Sequence, residues 1–81
     1  MRKRNELKRK TLQSLADGRS SDVPHLAVRV GYYPIRGFYP SLAKWCRWGL
    51  LAVSRGFDGR LLYRITDRGR RRLTWLREHF Q

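Results

Sequence analysis

The sequence predicts an α+β fold that is mainly α, with a three-helix core, a two-stranded hairpin and a C-terminal helix. Three observations support this fold class. A helix begins near Pro40 and ends at Gly49, because proline is tolerated in a first turn and glycine can end a helix. Two segments with alternating apolar residues then flank Asp58-Gly59, which is a hairpin signal. Thr66 follows as the cap of a last helix, and this order of elements is typical of a winged helix-turn-helix.

The N-terminal part of the chain predicts two amphipathic helices. Asn5 is a suitable N-cap for the first, whose apolar residues recur on one side as far as Asp17. Gly18 can end this helix in the left-handed conformation. Ser21 or Asp22 can cap the second helix. Its predicted buried stripe consists of Val23, Leu26, Ala27 and Val30.

The third predicted helix has a buried side and an outer side. Its apolar residues recur three and four positions apart, which places them on the same side of a helix. The turn before it, from Gly31 to Gly37, is stiffened by Pro34. We expect the buried side to consist of Phe38, Leu42, Trp45 and Cys46 and the outer side to carry Ser41, Lys44 and Arg47.

The hairpin, called the wing below, is predicted from residues 51–55 and 60–65, joined by Gly56-Phe57-Asp58-Gly59. Glycines at the tip supply the positive φ angles that short hairpin connections need. Arg55 and Arg60 bracket the tip and should lie close together. Because two like charges repel there unless an anion lies between them, both are candidate phosphate contacts.

The last helix starts at Asp67, where the helix macrodipole favours an acid. Four arginines crowd its N-terminal turns, the unfavourable end for cations, at a cost of up to ~1 kcal/mol each. This cost suggests a second phosphate contact, although pairing across a dimer and simple solvation explain the charges equally well. The four are Arg68, Arg70, Arg71 and Arg72.

Size and charge limit the function classes. Eighty-one residues suit one small domain, which we assign to residues 5–81 after a basic arm at residues 1–4. Nineteen Lys plus Arg against six Asp plus Glu give a formal net charge of +13, which favours a polyanionic partner. The sequence has no His/Cys/Asp cluster or Gly-rich phosphate loop, so we predict no enzyme, cofactor or metal site. It also has no membrane-length apolar run or signal core, so we expect a cytoplasmic, nucleoid-associated protein.

Three segments of the chain follow the pattern of a known family. They are Gly37-Phe38-Tyr39-Pro40-Ser41-Leu42, Gly49-Leu50 and Tyr63-Arg64-Ile65-Thr66-Asp67-Arg68-Gly69-Arg70. Together they resemble the PadR group of winged-helix transcriptional regulators. That group has a Leu-Tyr-Pro-x-Leu helix ending in Gly-Leu and, after a wing, a Tyr-Arg-Leu-Thr-x-x-Gly-Arg segment. The resemblance covers residues 37–72, while Val23-Pro24-His25-Leu26 stands where many PadR proteins have His-Gly-Tyr.

This resemblance implies a mode of DNA binding. The third helix would enter the major groove, and the wing would contact the flanking backbone or minor groove. The residue types suit this arrangement independently, since hydroxyls, ammonium groups and guanidinium groups bind phosphates and base edges. We therefore expect a transcriptional regulator that binds specific double-stranded DNA sequences. The predicted DNA contacts are Arg36, Tyr39, Ser41, Lys44, Arg47, Arg55, Arg60, Arg68 and Arg70.

Two further partners are considered from the sequence. An RNA-binding or ribosome-associated winged helix remains open, because net charge does not distinguish DNA from RNA and Tyr32, Tyr33 and Phe57 can stack on bases. An acidic protein partner is a third alternative. We also expect a homodimer, since exposed aromatic residues often mark a contact. The predicted dimer residues are Trp48, Trp75, Leu76 and Phe80.

Overall fold

The computed structural model describes residues 3–79. Within this range, four helices and one antiparallel strand pair follow each other in the predicted order, so the predicted fold class is confirmed. Its helices are α1 (Lys3–Ser14), α2 (Val23–Val30), α3 (Phe38–Arg47) and α4 (Asp67–His79), and its strands are β1 (Leu51–Arg55) and β2 (Leu61–Ile65).

Helix α1 is displaced toward the N-terminus relative to its predicted bounds. It begins at Lys3, two residues before the predicted cap, because lysine and arginine are good helix formers and extend the helix through residues 3 and 4. Half of the predicted basic arm is therefore helical, and Met1 and Arg2 lie outside the described residues. The α-helix ends at Ser14 rather than Asp17, since the following residues form a tighter turn that leads to Gly18 at φ +85°.

Helix α2 is bounded by the predicted signals. The Asp22 side chain accepts a hydrogen bond from the backbone N–H of His25 at 2.9 Å, which identifies Asp22 as the N-cap. Gly31 ends the helix at φ +71°, a conformation that favours glycine. All four residues of the predicted stripe are buried.

Helix α3 follows a short 3-10 turn at Ile35–Gly37. Phe38, Leu42 and Trp45 are buried as predicted, and Cys46 is half-buried against the same core. Burial raises the pKa of the Cys46 thiol, because the ionised form loses solvation. This thiol is therefore a small core residue rather than a reactive one.

The wing has a third pairing partner that the sequence analysis did not predict. Strand β1 pairs with β2 in a register that runs from Leu51 opposite Ile65 to Arg55 opposite Leu61. At the outer edge of β2, Ser21 exchanges two backbone hydrogen bonds with Tyr63, at 2.9 and 2.8 Å. The segment before α2 therefore holds the base of the wing against the helical core.

Helix α4 closes the core with Leu73 and Leu76. Only 1% of Leu76 is exposed, because the apolar stripe of α4 packs against α1 within the same chain. The prediction that Leu76 forms part of a dimer surface is therefore wrong.

The first turn of α4 lies directly against the backbone that follows α3. Thr66 Oγ1 accepts a hydrogen bond from the Gly69 N–H at 2.9 Å, so the predicted cap is confirmed. The same hydroxyl donates its proton toward two carbonyl oxygens, that of Gly49 at 2.5 Å and that of Leu50 at 3.0 Å. A Cβ at position 69 would lie 2.1 Å from the Leu50 oxygen, so only glycine fits there.

We expect Gly69→Ala to lower the free energy of unfolding by about 3 kcal/mol or more, because the new methyl group meets a backbone atom that cannot move alone. Chemical denaturation followed by circular dichroism measures this loss. Gly37→Ala is the control. There a Cβ meets only the hydroxyl end of the Tyr32 ring, at 2.9 Å, and the ring can shift. Equal stability losses in the two variants would contradict the packing argument.

Candidate nucleic-acid interface

The outer side of α3 is exposed and carries few charges. Arg47 lies opposite the buried residues Phe38 and Leu42 on this helix. Tyr39 lies on the flank nearer the wing and is 44% exposed. Arg36 is exposed in the turn before the helix. The exposed residues of α3 are Tyr39, Pro40, Ala43 and Arg47, and of these Ala43 and Pro40 were missed by the sequence analysis.

Ser41 and Lys44 were predicted to project from this outer side, and this prediction is wrong. Both are half-buried and line a groove that α3 forms with Asn5 and Lys8 of α1. The physical reason is the packing of α1 beside α3, which places Asn5 and Lys8 against this flank. The two side chains therefore lie on the flank of α3 that faces α1.

Trp48 lies in the same groove, and two ammonium groups lie over its ring. The Nζ of Lys8 lies 5.0 Å from the centroid of the Trp48 ring, and the Nζ of Lys44 lies 5.2 Å from it. Both distances are within the range of a cation–π interaction. The sequence analysis missed Lys8, because nothing in the sequence shows which side of α1 faces α3.

The two wing arginines differ in what they contact. Arg55 is exposed, and its Nη1 donates to the carbonyl oxygen of Gly59 at 2.9 Å. Arg60 forms ion pairs with Asp58, at 3.3 Å from Nε, and with Asp22, at 3.2 Å from Nη1. The anion predicted near this arginine pair is thus supplied in part by carboxylates of the protein. Phe57 is fully exposed at the tip of the wing.

Asp22 connects the wing to α2. Its carboxylate is largely buried and accepts hydrogen bonds from the backbone N–H of His25, from the His25 ring at 2.6 Å and from Arg60. These donors lower the pKa of Asp22 below its usual value of 3.8, and the His25 backbone N–H contributes most. The sequence analysis predicted the helix cap but not the bond to Arg60.

The two α4 arginines among the predicted contacts lie in different surroundings. Arg70 Nη1 donates to the carbonyl oxygen of Ala16 at 2.7 Å, so this side chain binds the turn that ends α1. Arg68 is exposed, and its aliphatic part lies beside Gly49 at the end of α3. The structure therefore brings Arg68 close to α3 but directs Arg70 toward α1.

No group of three or more His, Cys, Asp or Glu side chains within residues 3–79 could hold a metal ion. None of the helices in that range is long and apolar enough to cross a membrane.

The three-helix core, the wing and the capped α4 define a winged helix-turn-helix fold. A solved structure has the same fold: the crystal structure of Sso10a-2, a DNA-binding protein from Sulfolobus solfataricus. The two share 19% sequence identity with a TM-score of 0.81, and the match covers 96% of this chain and 78% of that chain. No family model and no curated protein matches the sequence, so the resemblance to the PadR group has no support from a family match.

We expect Asp22→Ala to lower the free energy of unfolding by about 1–2 kcal/mol, because α2 loses its cap and Arg60 loses a buried partner. Urea denaturation measures the change. Glu78→Ala is the control, since Glu78 is an exposed acid in the last turn of α4.

The same carboxylate makes stability depend on pH. Because its folded pKa lies below 3.8, its contribution is complete above pH 3.8 and is lost as the pH falls through the lower folded value. Asp22→Asn keeps an acceptor for the cap but removes this titration. Its stability should therefore fall less steeply than that of the wild type below pH 3.8, and identical slopes would contradict the assignment.

Proposed function

We propose that this protein binds double-stranded DNA in a sequence-specific manner, with α3 in the major groove and the wing on the flanking backbone or minor groove. The proposal rests above all on the exposed outer side of α3, which carries Arg47 in its last turn, on a chain of net charge +13. The fold similarity to a protein described as DNA-binding supports the choice of partner.

The dimensions and residue types of α3 suit this role. Ten helical residues span about 15 Å, and an α-helix fits the width of the B-DNA major groove. Arg47 can donate to a guanine edge, and the Ala43 methyl group suits contact with a thymine methyl. Ser41 and Lys44, on the flank, are better placed for phosphates than for base edges.

The residues around α3 would fix its position on the duplex. Arg36 before the helix, Arg68 beside its C-terminal end and Arg55 on the wing are exposed guanidinium groups suited to phosphates. Such contacts set register and orientation, whereas base contacts set sequence preference. Arg60 would contribute mainly through the charge field, since it is already paired with two carboxylates. Arg70 would do the same, since its side chain is directed toward α1 rather than α3.

A role in regulating transcription is the finer part of the proposal. It rests on the resemblance of residues 37–72 to PadR regulators. Selection of bound duplexes from a random pool at physiological salt tests the sequence specificity that such a role requires. We expect a two-fold symmetric motif whose half-sites lie about one helical turn apart.

RNA binding is the second candidate function. The observation that favours it is the exposure of two aromatic side chains, Tyr33 in the turn before α3 and Phe57 at the wing tip, since both can stack on unpaired bases. A competition assay distinguishes the two functions. Displacement of the selected duplex by an equal concentration of structured RNA would favour RNA.

We expect the logarithm of the duplex affinity to fall with the logarithm of salt with a slope of about −5 to −7, for about six to eight phosphate contacts. Arg47→Gln should cost about 1–3 kcal/mol on the selected site and relax the preference at one position. Arg55→Gln should weaken all sequences about equally. Fluorescence anisotropy against specific and scrambled duplexes measures both effects.

Arg29→Gln is the charge-matched control for these variants. Arg29 lies in the last turn of α2 and lines a groove shared with α1 rather than with α3. A salt-independent affinity, or an equal loss of affinity in all three variants, would contradict the assigned interface.

We also propose that the protein forms a homodimer through the C-terminal half of α4. Trp75 is 42% exposed there and stacks on His79 with ring centroids 4.3 Å apart, while Phe80 lies outside the described residues. The predicted member Trp48 lies instead in the groove between α1 and α3, so the proposed interface does not include it. Light scattering over a concentration series should give twice the chain mass, and Trp75→Ala should lower it. A monomer at the highest concentration would contradict the dimer.

A further inference from the structure

The flank of α3 that faces α1 forms a groove of about 350 Å³. Its apolar lining comes from Leu7 of α1 and from Pro40 and Trp45 of α3. Asn5 and Ser41 add polar groups. Lys8 and Lys44 supply its cations, one from each helix. Their Nζ atoms lie over the half-exposed Trp48 ring, at 5.0 and 5.2 Å from its centroid.

A third cation acts on this groove from α4. Burial lowers the pKa of Lys8 most, and the nearby positive charges of Arg72 and Lys44 lower it further. Arg72 also lies over the ring of Trp75, with its guanidinium carbon 5.6 Å from the centroid. Three helices thus direct positive charge to one region of the surface.

No carboxylate of the described residues balances these three charges. The ion pairs formed within residues 5–79 join Lys10 to Glu6, His25 to Asp22, and Arg60 to Asp22 and Asp58. None of them includes Lys8, Lys44 or Arg72. Like charges that converge on a partly buried region oppose folding, and an anion placed between them removes the repulsion.

We propose that the groove between α1 and α3 binds a phosphate of the DNA backbone through Lys8 and Lys44. This inference rests on the proposed placement of α3 in the major groove. A helix in that groove has a phosphate backbone along each of its two flanks. The wing lies at one flank, and the groove with Lys8 and Lys44 lies at the other.

Trp48 has a positioning role in this site. Contact with its ring restricts two long side chains that are otherwise free to rotate, so less conformational entropy is lost when the phosphate binds. Neither lysine is paired with a carboxylate among residues 5–79, so none has to be released first. The site therefore gains a charge-assisted contact without breaking an ion pair within the protein.

Lys8→Gln and Lys10→Gln form a matched pair of variants for the test. Each removes one positive charge from α1, but Lys10 pairs with Glu6 at 3.3 Å and lies outside the groove around Trp48. Duplex binding is measured by fluorescence anisotropy between 50 and 300 mM salt, about the range over which phosphate contacts change affinity most visibly. Lys44→Gln is a second groove variant.

Lys8→Gln should reduce the steepness of the salt dependence by about 0.9, the value for one phosphate contact, and weaken binding about tenfold at low salt. Lys44→Gln should give a similar change, whereas Lys10→Gln should keep the wild-type slope. Thermal unfolding should show Lys8→Gln to be at least as stable as the wild type, because a like-charge repulsion is removed.

If the wild type binds duplex DNA but both groove variants keep its slope, the phosphate site is wrong and the proposed function stands. If the wild type binds no duplex DNA, the proposed function fails and the groove assignment fails with it. A slope change in Lys10→Gln equal to that in Lys8→Gln would also overturn the site, since the effect would then belong to net charge.

Discussion

The close approach of α4 to the Leu50 carbonyl determines how the rest of the structure is arranged. Gly69 leaves no room for a side chain at that contact, and Thr66 bonds both to α4 and to the end of α3. Leu51 starts the wing directly after Leu50, and Ile65 ends it directly before Thr66. Both ends of the wing are therefore fixed beside the C-terminal end of α3, so the hairpin can project in only one direction.

This geometry gives α3 two unlike flanks. The flank nearer the wing has Tyr39 and, beyond it, a carboxylate that already holds Arg60. The flank toward α1 has Lys8 and Lys44, whose charges no described carboxylate balances. Positive charge that is balanced within the protein stabilises the fold, and positive charge that is not balanced is available to a polyanion.

The sequence predicted the elements well because their signals are local. The Gly31 stop and the Thr66 cap each act within four residues and were found as predicted. So does the cap of α2, where Asp22 is one of the two predicted candidates. Side-chain roles that depend on a neighbouring element were predicted poorly. Whether Lys44 lies on the outer side of α3 or in a groove depends on how α1 packs beside α3, and whether Leu76 faces the core or a partner depends on how α4 packs.

The carboxylate shared between the start of α2 and the wing makes these two parts of the molecule interdependent during evolution. Asp22 simultaneously begins a helix and holds Arg60 of the hairpin. A change in the length or direction of the hairpin would remove the Arg60 donor from the largely buried Asp22 carboxylate. Such a change would therefore destabilise the start of α2, some 38 positions earlier in the chain. Variation in the wing of related proteins should therefore be accompanied by compensating change at the position that begins α2.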